Sequence, residues 1–464
     1  MRRSARPVAH PRPRRIAAAV LGLIFVAGAC SGAPEPPKQV LEPEPERPNI
    51  VFLLTDDQTL RSLKKMPYLS KRPGGRWVTF KNGFVSTPLC CPSRASIMTG
   101  RYSHHTDVVR NDGRPFDNDE TIAVWLDDAG YRTGFVGKYL NTIHKVRGEE
   151  WIAPGWDDWV DLILDRRQKD FYNYRLNVNG RLVDKGGKPR DYQTDVFTRK
   201  AVRFIRSGNE DPFFLWVPYR SPHKPATPAP RHKMALRGLQ PRLAKSFNEK
   251  NVRDKPRWVR RLPDERARKM RREAAREIGA LLSVDDSVKE IIGALKEERE
   301  FGSTVIIFLS DNGYSRGDHR WSGKVCPYEG CIRVPFLIRY PGATQRNVFR
   351  FASNVDVATT IADLAGAEPT LPQDGRSLVP LLEGRHPRWR NDLLIVWRDR
   401  THTIPAYWGL RTPRWKYVRY RNGEEELYNL KKDPAELMNR ADDRKLRPVA
   451  RRLWRRIKVL RDSS

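Results

Sequence analysis

The chain has 464 residues, enough for one large domain with a smaller appendage. With 39% hydrophobic residues, 13 Trp, 17 Phe and 15 Tyr, it is far from the composition of a disordered chain. Its 87 Lys and Arg against 55 Asp and Glu leave a net charge of +32, which favours anionic partners such as acidic polysaccharide or anionic lipid; no Gly-rich phosphate loop, zinc-finger spacing or RNA-binding aromatic motif accompanies the charge, so nucleic acid is not the expected partner.

The first element is a targeting segment, residues 1–29. Six arginines lie in Met1 to Arg15, and the apolar run Ile16 to Ala29 that follows is shorter than the ~20 residues of a membrane-spanning helix. The run closes on Ala27-Gly28-Ala29-Cys30, which resembles the processing site of bacterial lipoproteins, where the Cys is lipidated. The expectation is an exported protein, anchored at the membrane through a lipid on Cys30 or simply secreted. Residues 30–46 form a Pro/Glu-rich tether. A main domain over 47–385 and a small subdomain over 386–464 follow.

Arg47 to Asp57 is a short unbroken apolar run closing on two acids, the pattern of a parallel strand buried on both faces. Asp119 to Ala129 reads as a helix. Pro212 to Pro218 is a second such strand, ending just before Ser221-Pro222-His223. Leu239 to Glu277, rich in Arg and Lys and broken by Pro241, Pro256 and Pro263, reads as a long surface excursion. Ile278 to Leu295 is helical, and Thr304 to Gly313 is a third strand carrying Asp311 and Asn312. Alternation of strands and helices predicts an open α/β sheet. Ligands of such sheets bind beyond the carboxyl ends of the strands, where Asp56, Asp57, His223, Asp311 and Asn312 would converge. After Gly384, short strands at Leu393 to Trp397, Trp408 to Arg411 and Lys416 to Tyr420 predict an α+β subdomain. Its closing helix carries the apolar stripe Leu446, Ala450, Leu453, Ile457 and Leu460.

Of five cysteines, Cys326 and Cys331 are near enough for a small-loop disulfide in an exported chain. Cys90 and Cys91 lack the second pair that a zinc site needs. Their context, Pro88-Leu89-Cys90-Cys91-Pro92-Ser93-Arg94 continuing to Thr99-Gly100-Arg101, resembles the C-x-P-S-R and T-G-R signature of the type I sulfatases. The register selects Cys90, because Pro92 stands two residues after it. In that family this Cys is oxidised by a formylglycine-generating enzyme to formylglycine, whose aldehyde hydrates to a geminal diol. One hydroxyl attacks sulfur and displaces the alcohol; deprotonating the other then restores the aldehyde and expels sulfate, so water need not attack a sulfate ester.

The resemblance implies an alkaline-phosphatase-like fold, with 47–385 as the catalytic domain. It also implies that Asp56, Asp57, Asp311 and Asn312, with residue 90 itself, hold one metal ion. These hard oxygens suit Ca²⁺ over Mg²⁺ and over zinc. Arg94 matches the arginine beside the family's nucleophile. Lys138, His223 and Lys324 match its sulfate-contacting residues, with His223 or Lys324 protonating the leaving alcohol. One position departs from the pattern of many arylsulfatases: a His two residues after the Lys138 position is here Leu140, with His144 the nearest substitute. Gly137-Lys138-Tyr139-Leu140-Asn141, Ala153 to Trp159 and Ser310 to Tyr314 look closer to the N-acetylglucosamine-6-sulfatase branch, which points to a sulfated glycan. His104, His105, His319 and His402 are assigned to structure or surface. Two other readings stand beside this one: a phosphate or phosphonate ester hydrolase of the same superfamily, and a catalytically silent polyanion-binding lipoprotein.

Overall fold

The computed structural model describes residues 47–164, 171–208 and 211–463; the expected leader, tether and lipidation site lie outside the described residues. Sixteen strands occur among the described residues. The first eight are β1 (Asn49–Thr55), β2 (Trp77–Phe84), β3 (Arg132–Gly137), β4 (Asp158–Ile163), β5 (Tyr174–Val178), β6 (Arg181–Lys185), β7 (Phe213–Pro218) and β8 (Thr304–Ser310). The remainder are β9 (Ser315–Asp318), β10 (Trp321–Gly323), β11 (Phe336–Arg339), β12 (Arg346–Ser353), β13 (Leu393–Trp397), β14 (Tyr407–Arg411), β15 (Trp415–Tyr420) and β16 (Glu425–Asn429).

Ten strands form one sheet in the order β12-β2-β11-β8-β1-β7-β3-β4-β5-β6. Its middle, β8-β1-β7-β3-β4, is parallel throughout, as the unbroken apolar runs require. In β1 the side chains divide by parity. Ile50, Phe52 and Leu54 enter the core shared with the helices Cys90–Thr99, Ile122–Asp128 and Asp356–Ala365, whereas Val51 and Leu53 enter the core shared with Gln193–Arg206 and Ala267–Glu297. Helices therefore cover both faces, and the carboxyl ends of the central strands are left for the site.

The segment Leu239 to Glu277 departs from the expected surface excursion. Val252, Trp258, Val259, Met270 and Ala275 are buried, and its last part belongs to the 31-residue helix Ala267–Glu297. Its charges misled because Arg257, Arg260 and their like face solvent while Trp258 and Val259 point inward. The buried Lys255 is paired with Glu249 at 3.0 Å.

The C-terminal part is an antiparallel sheet β13-β14-β15-β16. The helix Arg447–Arg461 docks on it through Ala450, Leu453 and Ile457, which pack with Leu394, Val396, Leu410 and Tyr417. Among the ties that bind this sheet to the main body, Val396 N donates to Ser86 O at 2.7 Å, and Tyr407 Oη to Val325 O at 2.6 Å. Cys326 and Cys331 are bonded; Cys90 and Cys91 are free thiols.

Candidate active site

Four adjacent parallel strands end side by side, and each hands over a polar residue. Asp311 and Asn312 follow β8, Asp56 and Asp57 follow β1, His223 lies just beyond β7, and Lys138 follows β3. Backbone bonds stitch the ends together: Asp311 N to Thr55 O at 2.9 Å, Asp56 N to Ser221 O at 3.1 Å and Lys138 N to Pro218 O at 2.8 Å. Asp57 has left-handed backbone, φ 70°, a conformation Asp adopts more readily than most residues. Its N–H donates to Asp311 Oδ1 at 3.2 Å, locking the two acidic corners together.

The signature helix Cys90–Thr99 brings the cysteine. All ten of its residues are buried. Pro92 sits in the first turn, where its missing N–H costs nothing, and the helix stops at Gly100, whose left-handed φ of 68° suits glycine. Arg94 falls one turn after Cys90, on the same face. Cys90 Sγ lies 3.1 Å from Asp56 Oδ1 and 2.8 Å from Lys324 Nζ. Arg94 donates from Nε to Asp311 Oδ2 at 2.8 Å and from Nη1 to Lys138 O, with Nη2 3.7 Å from Asp56. Lys138 Nζ bonds Asp56 Oδ2, and Lys324 Nζ bonds Asp57 Oδ1 at 2.7 Å. His223 Nε2 faces Asp57 Oδ2 at 3.8 Å, with its Nδ1 2.7 Å from Lys224 O. A carbonyl only accepts, so Nδ1 carries a hydrogen and Nε2 is the nitrogen turned to the cluster.

Electrostatics follow from this packing. Burial works to raise the Asp56 carboxyl, but Lys138, His223, Lys324 and Arg94 outweigh it and hold Asp56 well below the usual carboxylate range. Burial, with Asp56 alongside, raises Asp311 to about 6. Burial and Asp56 push the Cys90 thiol well up, so the unmodified side chain is a neutral thiol and a poor nucleophile. Against desolvation, Asp57 and its neighbours keep Lys324 charged.

The donor set fits a hard cation. Ligand atoms of Asp56, Asp57, Cys90 and Asp311 all lie within 4.8 Å of one another. Two oxygens bound to a common calcium are at most about 5 Å apart. Asn312 donates its amide N–H to Asp57 Oδ1 at 2.7 Å, leaving its buried Oδ1 without a partner; a buried carbonyl with no donor is what a metal ligand looks like before its ion is added.

Every residue named from the sequence as a ligand or sulfate contact thus meets in one cluster. His144 does not join it: its Nε2 pairs with Asp161 at 3.1 Å. Leu140 is buried in the apolar core. His319 is 2.5 Å from Glu249, His105 pairs with Asp374 at 2.8 Å, and His104 lies 3.3 Å from Arg461 O. Asp161, which accepts Tyr139 N at 3.1 Å and so fixes the turn carrying Lys138, was not singled out in the sequence. An acid between Val160 and Leu162, inside strand β4, was its signal. Cys91 Sγ accepts Asn141 N at 3.2 Å, and its own N–H donates to Asn111 Oδ1 at 3.0 Å, a packing role beside the site.

Comparison with known proteins agrees with this geometry. A family profile described as Sulfatase matches residues 48–367, and one described as N-sulphoglucosamine sulphohydrolase, C-terminal, matches residues 317–463. The chain is 34% identical to an extracellular sulfatase SULF-1 homolog of Drosophila melanogaster over 77% of this chain and 34% of that protein. It is 33% identical to a putative extracellular sulfatase of Caenorhabditis elegans, over 80% of this chain and 54% of that protein. It therefore spans about a third and about half of those two relatives. Against the N-acetylglucosamine-6-sulfatase of Homo sapiens it is 32% identical over 82% of this chain and 72% of the relative. Among solved structures, one described in complex with its substrate D-glucosamine-2-N,6-O-disulfate superposes with a TM-score of 0.78 at 24% identity, covering 89% of this chain and 97% of that one. The phosphonate monoester hydrolase of Agrobacterium radiobacter superposes with 0.74 at 23% identity, over 90% and 96%. The fold alone does not separate sulfate from phosphonate chemistry.

Proposed function

The chain belongs to the sulfatase family, and from that premise we propose that it is an exported sulfuric ester hydrolase acting on a glucosamine-6-sulfate-like group of a sulfated glycan. The observation that carries the reading is the convergence on Cys90 Sγ of Lys324 at 2.8 Å and Asp56 at 3.1 Å, inside a cluster of three carboxylates. Converted to formylglycine, residue 90 supplies the hydroxyl that attacks sulfur. Asp56, Asp57, Asp311 and Asn312 would hold a calcium ion, whose charge would polarise a sulfate oxygen and favour the ionised hydroxyl.

The side chains of the chain do the rest. Lys138 and Lys324 place ammonium groups where negative charge grows on the sulfuryl oxygens. Arg94, tied to Asp311 and to Lys138 O, holds both in register. The Nδ1 contact of His223 to Lys224 O aims Nε2 into the site, and in its protonated form the ring donates from Nε2 to the leaving alcohol, with Lys324 as the other donor within the cluster. The single oxygen-only ligand set favours sulfate over the phosphoryl chemistry of two-zinc relatives. Support for export comes from the Arg-rich leader and from the extracellular relatives. Residues 47–385 are the catalytic domain and 386–464 its subdomain, and the exported protein is either anchored through a lipid on Cys30 or secreted.

The test compares sulfate release from N-acetylglucosamine 6-sulfate with phosphate and phosphonate release from matched aryl esters, before and after chelation, alongside mass spectrometry of the Cys90 peptide. Expected are preferential sulfate release, loss of that activity on chelation and with Cys90→Ala, and a formylglycine at position 90. Sulfatase activity that survives Cys90→Ala, or a preference for phosphonate, overturns the reading.

A further inference from the structure

The members of the cluster differ in their exposure to solvent. Cys90, Arg94, Lys138, Asp56, Asp311 and Asn312 are buried, whereas His223 and Lys324 keep 32% and 15% of their side chains exposed. A glycan carrying the ester must enter past these two. On the Lys324 side the rim is built by the C-terminal subdomain. Tyr407 Oη donates to Val325 O, which places the β13–β14 connection, residues 398–406, against the loop that carries Lys324. That connection is held in shape by Asp399, whose Oδ1 accepts both Thr401 N at 2.8 Å and Thr401 Oγ1 at 2.7 Å.

At its centre His402 stands edge-on to two tryptophans. Its ring lies 5.5 Å from Trp397 and 6.1 Å from Trp321. Trp321, half-buried, donates its indole N–H to Lys324 O at 2.9 Å. The tautomer of His402 is set by the backbone: Ile404 N donates to Nδ1 at 3.1 Å, so in the neutral ring the hydrogen sits on Nε2. Among the described residues, that Nε2 makes no hydrogen bond. The fold thus carries an imidazole fixed in one tautomer, beside an indole and one residue shell from the sulfate-contacting lysine, with its N–H donor unspent.

We propose that His402 is a specificity-determining residue, donating from Nε2 to a hydroxyl or ring-borne oxygen of the sugar that bears the sulfate, with Trp321 offering its apolar surface to the same ring. The inference rests on the reading of the site as a glycan sulfatase and deepens it by naming what recognises the sugar rather than the sulfate. Pyranose rings present apolar C–H faces and edge hydroxyls, which an indole beside an N–H donor matches. The C-terminal subdomain thereby acquires a part in substrate choice, while the chemistry stays with the large sheet.

The test uses the full chain in a Cys90→Ala background, so that binding is read with no attacking group at position 90 and without the modification. Calorimetry measures the affinity for N-acetylglucosamine 6-sulfate and for inorganic sulfate, with calcium present. His402→Ala is expected to lower the ratio of the two affinities by about tenfold, the scale of one lost hydrogen bond, and His402→Asn, which keeps an N–H donor, to recover part of it. In the active enzyme, the same ratio of kcat/KM for the sugar sulfate over 4-nitrophenyl sulfate falls through KM. An unchanged ratio, or equal loss for both ligands with no recovery by His402→Asn, overturns the inference and leaves the sulfatase reading standing. A protein that binds neither ligand overturns both.

Discussion

Arg94 shows how much of the site depends on one planar side chain. Its three nitrogens reach Asp311, Lys138 O and Asp56 at once, a fork that an ammonium on a flexible stem does not reproduce. Arg94→Lys is therefore expected to fold yet lose about 10² to 10³ in kcat/KM. Arg94→Ala, which strands the buried Asp311, should also cost roughly 3–5 kcal/mol of stability. Steady-state kinetics and chemical denaturation check the pair, and Arg94→Lys activity within tenfold of wild type would contradict the role. At this scale the sequence was most informative, because each of these residues sits in a short run whose chemistry is local: acids closing apolar strands at 56, 57 and 311, and Cys90 four residues before Arg94. His402 and Asp161 were not legible in the same way. Their meaning comes from a neighbour distant in the chain, Trp321 for one and Tyr139 for the other, and no local pattern announces such a pairing.

Elements position these residues as much as composition selects them. The loop carrying Lys324 is clamped between the segment that leads into the signature helix and the short helix Glu329–Ile332. Val325 N donates to Pro88 O at 2.9 Å, the Cys326–Cys331 disulfide closes the loop, and Cys331 O accepts Gly313 N at 2.9 Å, next to Asn312. Gly313 is required there, since a Cβ would stand 2.3 Å from Gly330 O. One cross-link thus ties Lys324 to the corner after β8 that carries Asp311 and Asn312. Replacing both cysteines by serine should lower stability by about 2 kcal/mol, the entropy of so small a loop. Turnover should drop by about tenfold even where the protein stays folded, because Lys324 loses its fixed reach to Cys90. Denaturant midpoints and kcat at a temperature well below unfolding separate the two effects, and full activity in the folded double variant would show the clamp to be dispensable. The strand and helix periodicities were readable for β1, β7 and β8, whose apolar runs are continuous. They failed for Leu239 to Glu277, where Arg and Lys on the outer face outnumber the inward Trp258, Val259 and Met270, and for β16, where the polar Glu425-Glu426 pair hides a strand whose second acid is buried.

That buried acid governs how the whole molecule holds its two parts together. Glu426, on β16, accepts Tyr328 Oη from the main body at 3.0 Å and Tyr420 Oη from its own sheet at 3.3 Å. Burial raises its carboxyl from 4.5 to about 7, against the pull of the Tyr328 bond and of His319 and Lys255, with Glu436 adding to the rise. Because the folded state holds this proton more tightly than the unfolded chain, the stability it contributes is complete below pH 4.5 and is lost as the pH climbs through 7. The difference is roughly 3 kcal/mol by the usual conversion of shift to free energy. Glu426→Gln keeps an acceptor for both phenols and removes the titration. The variant should match wild type near pH 4.5 and become the more stable protein above pH 7, by up to about 3 kcal/mol. Urea unfolding of the two proteins between pH 4.5 and 8.5 reads the divergence, with the site residues common to both and cancelling in the difference. Parallel curves would mean that Glu426 is ionised throughout, offset by Lys255 and His319, and that it adds a further charge to a seam already crossed by the ion pairs of Glu329 with Arg411 at 2.9 Å and Lys416 at 3.0 Å.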